Sequence, residues 1–147
     1  MWFYLFHVPM AKDLFHKTVR ESLTNANWAI TQDPYRLILL KRVLEIDLAA
    51  EPIIAAQKGG QKIAVEVKSF LKESFISEFY TVLGQYLVYH TFLARQEPDR
   101  TLYLAISDEV YALRFEKDDD ILFLCEKFNL RILIFNKLTH QIESWIR

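Results

Sequence analysis

The sequence predicts a single α/β domain in which helices bracket a central mixed β-sheet, and three observations carry that prediction. Apolar residues recur every three to four positions in two stretches, Leu14, Phe15, Val19 and Leu23, then Phe75, Phe79, Val82, Tyr86 and His90, as on the buried face of a helix. Around them lie aliphatic, β-branched runs of strand length, Ile63 to Val67, Thr101 to Ser107 and Leu130 to Phe135. A chain of 147 residues, 52% of them apolar, supports one compact globular domain and no second full one.

The elements follow in order. The first helix runs from Asp13 to near Asn25-Ala26-Asn27, and Trp28 to Thr31 is β-rich. Gln32-Asp33-Pro34-Tyr35 is a turn, because proline fixes φ and disfavours helix just before it. Arg36 to Lys41 and Val43 to Ala50 form either one bent strand or two paired strands. Gly59-Gly60 supplies the positive φ of a tight turn, so Ile63 to Val67 returns as the second arm of a hairpin. Ser74 caps a long helix that ends near Gln96, where Glu97-Pro98 stops it, and Gly84 within it would let the helix approach the sheet closely. Thr101 to Ser107 is a buried strand, and Asp108 to Asn129 is mostly helical, interrupted around Lys117-Asp118-Asp119-Asp120. Leu130 to Phe135 and Gln141 to Ile146 close the chain as an edge pair. Residues 1–9 read as an amino-terminal extension or tail, and residues 10–147 as the domain.

Composition excludes several function classes. The net charge is −1, so the whole molecule carries no field that draws it to nucleic acid or anionic lipid. The halves differ: residues 1–72 hold 10 Lys/Arg against 7 Asp/Glu, residues 73–147 hold 8 against 12, which makes the first half the anion-facing one. Lys58, Lys62 and Lys72 are the candidates for a basic rim there. A single cysteine, Cys125, rules out an internal disulfide and a cysteine-built zinc site and suits a reducing, cytoplasmic setting. No apolar stretch reaches the length of a membrane span. Phosphate-binding glycine loops, G-x-S-x-G and His-Glu-x-x-His are absent.

The informative segment is Ile63-Ala64-Val65-Glu66-Val67-Lys68. Strand side chains alternate, so Glu66 and Lys68 share a face with Ala64 while Ile63, Val65 and Val67 occupy the other. Charges on so apolar a strand need a partner or a task, because burying one alone costs several kcal/mol. Asp47 is likewise a lone acid among aliphatics, 19 positions before Glu66, a distance that a return hairpin can close. Two carboxylates and a lysine at a strand end are what metal-assisted phosphodiester hydrolysis requires: hard oxygen ligands for Mg²⁺ and an ammonium for developing charge. A structural ion pair between Lys68 and an acid is the plainer alternative. Glu21 reads as a further site acid or a solvated one, His16 as a packed core histidine, and Asp118 to Asp120 as a helix-start or loop cluster.

Together with AKDLFHKTVRESL, WAITQDPYR, EIDLAAEPIIAAQKGGQKIAVEVKSF, ISEFYTVLGQYLVYHTFL and EPDRTLYLAIS, these motifs resemble the XisH family, the fdxN element excision controlling factors, within the PD-(D/E)XK nuclease superfamily. The resemblance implies a restriction-endonuclease-like core with Asp47, Glu66 and Lys68 as the active-site triad. It also implies Mg²⁺ or Mn²⁺ held by Asp47, Glu66 and the main-chain carbonyl of Val67, with Gln85 aimed at the site from the following helix. Two positions depart from the pattern: Ile46 stands where a proline would precede Asp47, and Gln32 where a histidine is expected before Asp33-Pro34.

The resemblance further implies DNA as substrate, in site-specific element excision during cyanobacterial differentiation, beside a recombinase and an XisI-type partner protein. Either the domain cuts DNA, or it keeps the fold and regulates excision by binding DNA or protein without cutting. The apolar tail and the final strands are the candidate surface for a homodimer.

Overall fold

The computed structural model describes residues 13–54 and 59–147, so the expected tail and Lys58 lie outside the described residues. The first helix is His16–Asn25 (α1). Strands Trp28–Gln32 (β1), Tyr35–Ile38 (β2), Val43–Ile46 (β3), Leu48–Pro52 (β4) and Lys62–Val67 (β5) follow. The long helix is Phe75–Gln96 (α2), and then come Arg100–Ser107 (β6), a short helix Asp108–Val110 (α3) that continues as a π-helical turn over Tyr111–Phe115, and Asp119–Lys127 (α4). Ile132–Asn136 (β7) and Gln141–Ile146 (β8) end the chain.

Six strands form one sheet in the order β1-β4-β5-β6-β7-β8. Its centre, β5-β6-β7, is parallel, and its flanks pair antiparallel, which is the mixed sheet the sequence predicts. Helix α2 makes the crossover between β5 and β6, as a parallel pair requires. The sheet divides two cores. Val19 and Leu23 of α1 pack with Ile63, Val65, Val67 and Tyr103, while Phe79, Val82, Tyr86 and Leu93 of α2 pack with Ala64, Leu102 and Leu104. The period-2 alternation of β5 and β6 is therefore what assigns each side chain to a core, and helices flank both faces, consistent with the restriction-endonuclease-like core implied above. Among the described residues no helix is long and apolar enough to cross a membrane.

The boundaries have local causes. The Ser74 hydroxyl accepts the Ser77 N–H (3.3 Å) at the start of α2, and the Asp118 carboxylate accepts from Asp120 and Ile121 at the start of α4. Gly59 and Gly60 adopt φ of 65° and 68°, the left-handed conformation that only glycine takes without strain. Of the two readings of 36–50, paired strands hold, with a refinement: β2 and β3 form their own two-stranded sheet, and the chain breaks at Asp47 before β4 joins the main sheet beside β1.

Gly84 corrects the expectation of close helix–sheet approach. It faces outward from α2, and a Cβ there would meet nothing within 4 Å.

The β2–β3 hairpin is fastened to the end of α2. The Gln96 amide accepts the Ile38 N–H (2.7 Å) and donates to the Arg36 carbonyl, and the Tyr35 hydroxyl donates to Glu97 (2.9 Å). Beneath them Arg100 is 7% exposed. It is bound by Glu97 and by the carbonyls of Ala50 and Ile63, and its guanidinium lies over the Tyr35 ring. A buried guanidinium is tolerable only when so fully paired.

Candidate active site

Three separate segments meet at the carboxyl end of β5. Asp47 sits in the break between β3 and β4, Glu66 is the penultimate residue of β5, and Lys68 follows the strand. The antiparallel pairing of Leu48 with Val65 brings Asp47 beside the end of β5. There the Val67 N–H donates to Asp47 Oδ2 (2.8 Å), and the Asp47 N–H donates to Glu66 Oε1 (3.1 Å). Lys68 Nζ lies 3.5 Å from Glu66 Oε2. Glu66 is 7% exposed, and Asp47 and Lys68 are partly open, so the lysine stands on the solvent side of the buried Glu66 carboxyl.

Electrostatics follow from that placement. Burial, then the charge of Asp47, pushes the Glu66 carboxyl up to about 8, against the pull of Lys68. Burial also raises Asp47, opposed by its bond from Val67, by a hydrogen bond from Glu66, and by the His16 ring and Lys68. Both shifts favour the protonated form. This is the behaviour of two like charges that lack enough positive charge to ionise together.

A hard divalent cation suits this donor set. Two carboxyl groups offer oxygen ligands, and their raised affinity for protons marks where positive charge is wanted. Asp47 and Glu66 would hold such an ion. Among the described residues, no three His, Cys, Asp or Glu side chains group as a metal site, so other ligands would be main-chain carbonyls or water.

The family model described as XisH protein matches residues 10–143. The chain belongs to the XisH family. The crystal structure of an XisH family protein from Nostoc punctiforme PCC 73102 is similar at a TM-score of 0.82 and 38% identity, covering 92% of this chain and 100% of that one. The crystal structure of a fdxN element excision controlling factor protein from Anabaena variabilis is similar at a TM-score of 0.81 and 40% identity, covering 90% of this chain and 98% of that one. No curated protein matches.

In this XisH-family chain the other expected site residues divide. Gln85 is half-buried on α2, and its amide donates to the Tyr89 hydroxyl (2.9 Å) rather than to either carboxylate. Tyr89, absent from the sequence reading, lies close enough to Glu66, Asp47 and Glu45 that their charges, after burial, raise its phenol well above the usual range. Lys62 is tied to Glu97 and Asp99 and so is not a free rim cation. Glu21 is half-exposed and pairs with His140 (2.6 Å) and Lys17, which agrees with the solvated reading.

His16 is buried as expected of a core histidine, yet it is a polar one. Its Nε2 lies 3.0 Å from Asp33 Oδ1, and Asp33 also binds Arg20. Asp13 was missed as well: Oδ1 accepts the Phe15 N–H (3.0 Å) and Oδ2 accepts the Ser69 N–H (2.8 Å), which pins the start of α1 to the residue after Lys68. An acid just before a helix was a readable cap signal. Its reach to Ser69, 56 positions away, was not.

Proposed function

We propose that Asp47, Glu66 and Lys68 form a PD-(D/E)XK-type centre that hydrolyses DNA phosphodiesters with Mg²⁺ or Mn²⁺. The observation that carries this reading is the convergence of the buried Glu66 carboxyl, the half-buried Asp47 carboxyl and the partly exposed Lys68 ammonium at the end of β5. When bound, the cation would neutralise the scissile phosphate and lower the pKa of its water. The chain's own contribution is to hold Asp47 by the Val67 N–H and Glu66 by the Asp47 N–H, and to present Lys68 where negative charge develops. The main-chain carbonyl of Val67 is the proposed third protein ligand, and Gln85, whose amide donates to the Tyr89 hydroxyl, is the proposed contribution of α2.

The biological setting we propose is control of DNA element excision in the cytoplasm, beside a site-specific recombinase and an XisI-type partner. Similarity to the Anabaena variabilis protein, a fdxN element excision controlling factor, supports the excision part of that setting. A second reading keeps the setting without cutting. It is favoured by the ion pair that Lys68 Nζ already makes with Glu66 Oε2 at 3.5 Å.

The test is a calorimetric titration with Mn²⁺ together with a supercoiled-plasmid nicking assay. The hydrolytic reading expects binding and nicking in the parent, both lost in Asp47→Ala, and nicking lost in Lys68→Ala. No cation binding, or nicking unchanged in both variants, leaves the regulatory reading.

A further inference from the structure

The β2–β3 hairpin carries residues that the fold does not use. Its inner positions, Tyr35, Leu37 and Ile46, are buried. Its outer face and tip expose Leu40 at 93%, Ile38 at 64% and Val43 at 54%, the last two a cross-strand pair. Pairing explains Ile38 and Val43, because facing β-branched side chains support a hairpin. Leu40 has no such reason. It stands in the turn closed by the Leu39 N–H on the Arg42 carbonyl (2.8 Å), where glycine, asparagine or aspartate is the usual choice, and its side chain is in open water. Beside it are Lys41 and Arg42, with Arg36 further down, all exposed and none ion-paired among the described residues, against the single acid Glu45. The rest of the chain is net acidic, so this positive charge is local.

The hairpin is also rigidly placed. Glu97 and Gln96 fasten β2 to the end of α2 at Tyr35 and at Ile38, and β3 runs directly into Asp47. Asp47 lies seven positions from Leu40, across the end of the turn and the strand Val43–Ile46, so the two are at most about 24 Å apart, within roughly seven base pairs along a duplex.

We propose that this hairpin is an arm that grips duplex DNA, with Lys41 and Arg42 on backbone phosphates and Leu40 as an apolar wedge against a base step. The proposal rests on the DNA reading of the Asp47–Glu66 site and adds to it a contact that would set where along the duplex the site lies. Phosphate is the complement to a cluster of free cations, and exposed aliphatics beside such cations are what minor-groove binders insert to part the stack.

The experiment is fluorescence anisotropy with a labelled duplex two helical turns long, titrated with salt from roughly 50 to 200 mM, together with the same duplex carrying 2-aminopurine. Lys41→Ala/Arg42→Ala is expected to weaken binding at least about tenfold and to flatten the slope of log K against log salt by about 2, the loss of two phosphate contacts. Leu40→Ser is expected to weaken binding with the slope unchanged and to abolish the rise in 2-aminopurine fluorescence. All three residues are exposed, so the variants should keep the parent's circular dichroism and melting temperature.

The arm is overturned by parental affinity and slope in the double variant, or by an undiminished 2-aminopurine signal in Leu40→Ser. It is equally overturned if the parent binds phosphatidylserine vesicles, or pairs with itself, through Leu40 and binds no duplex. A parent that shows every arm effect but cuts nothing overturns the hydrolytic reading alone. A parent that nicks DNA while the arm variants bind normally overturns the arm alone.

Discussion

Glu66→Gln should make the metal-free protein more stable, and by an amount that grows with pH. Burial beside Asp47 moves the Glu66 carboxyl from an ordinary 4.5 to about 8 in the folded protein. Between those values the folded chain keeps a proton that the unfolded chain has released. Stability therefore falls as pH rises through this window and levels off above the folded value. At about 1.4 kcal/mol per unit, the penalty is close to zero at pH 4.5, about 3 kcal/mol at pH 7 and roughly 5 kcal/mol at pH 9. Glutamine has the shape of the protonated acid. It can still accept the Asp47 N–H and donate to the Asp47 carboxylate, but it never ionises. Urea denaturation followed by tryptophan fluorescence, in EDTA at pH 5, 7 and 9, reads the difference directly. The variant should match the parent at pH 5 and exceed it by a few kcal/mol at pH 9. Adding Mn²⁺ at about one hundred times its dissociation constant should then return about 2.7 kcal/mol to the parent and nothing to the variant. A gap between the two proteins that does not change with pH, or a variant that is the weaker at pH 9, would refute the account of a proton held on Glu66 by burial beside Asp47.

Three further outcomes are expected. Lys68→Ala should leave Mn²⁺ affinity within a few-fold of the parent by calorimetry while lowering nicking by about 10²-fold or more, since the ammonium is proposed to meet developing charge and not the ion. Arg100→Ala should cost about 3–5 kcal/mol in urea denaturation, because it strands Glu97 and the carbonyls of Ala50 and Ile63 at the hairpin base; a loss below about 1 kcal/mol would mean that water replaces the guanidinium. Gly84→Ala should stabilise by about 1 kcal/mol and raise the melting temperature by a few degrees, since the position is helical and its Cβ would meet only open space.

Where the sequence carried its own punctuation, it placed elements well. Ser74 and Pro98 bracket α2, and Gly59-Gly60 announces the β4–β5 turn. The charges of the site were legible for a related reason: Asp47, Glu66 and Lys68 interrupt aliphatic strands, and an uncompensated charge there is too costly to be idle. The β2–β3 turn escaped a definite reading because Leu40-Lys41 lacks the residues that mark turns. The break at Asp47 is invisible in a run that alternates smoothly from Leu44 to Leu48. The outward face of Gly84 was within reach, since Val82 and Tyr86 fix the buried side of α2 and a residue two positions from each points away from it. The contacts of His16 with Asp33, and of Asp13 with Ser69, join residues 17 and 56 positions apart, and no local period reports such pairs.

Those long-range contacts share a chemistry that bears on how the site is held. Asp13 binds the Ser69 N–H, Asp47 binds the Val67 N–H, and Glu66 binds the Asp47 N–H, so each acid is fixed by a main-chain donor at or beside the carboxyl end of β5. Side chains anchored in this way do not need a ligand to find their places. The same bonds use Oδ2 of Asp47 and Oε1 of Glu66, which directs Glu66 Oε2 to Lys68 and leaves Oδ1 of Asp47 outside the backbone pairing. The arrangement therefore gives up stability, as two neighbouring carboxyls whose burial disfavours their charged forms, while keeping geometry. That division is the expected one for a preorganised cation site and the reverse of what a purely structural ion pair would select, because such a pair gains nothing from placing the second acid beside the first.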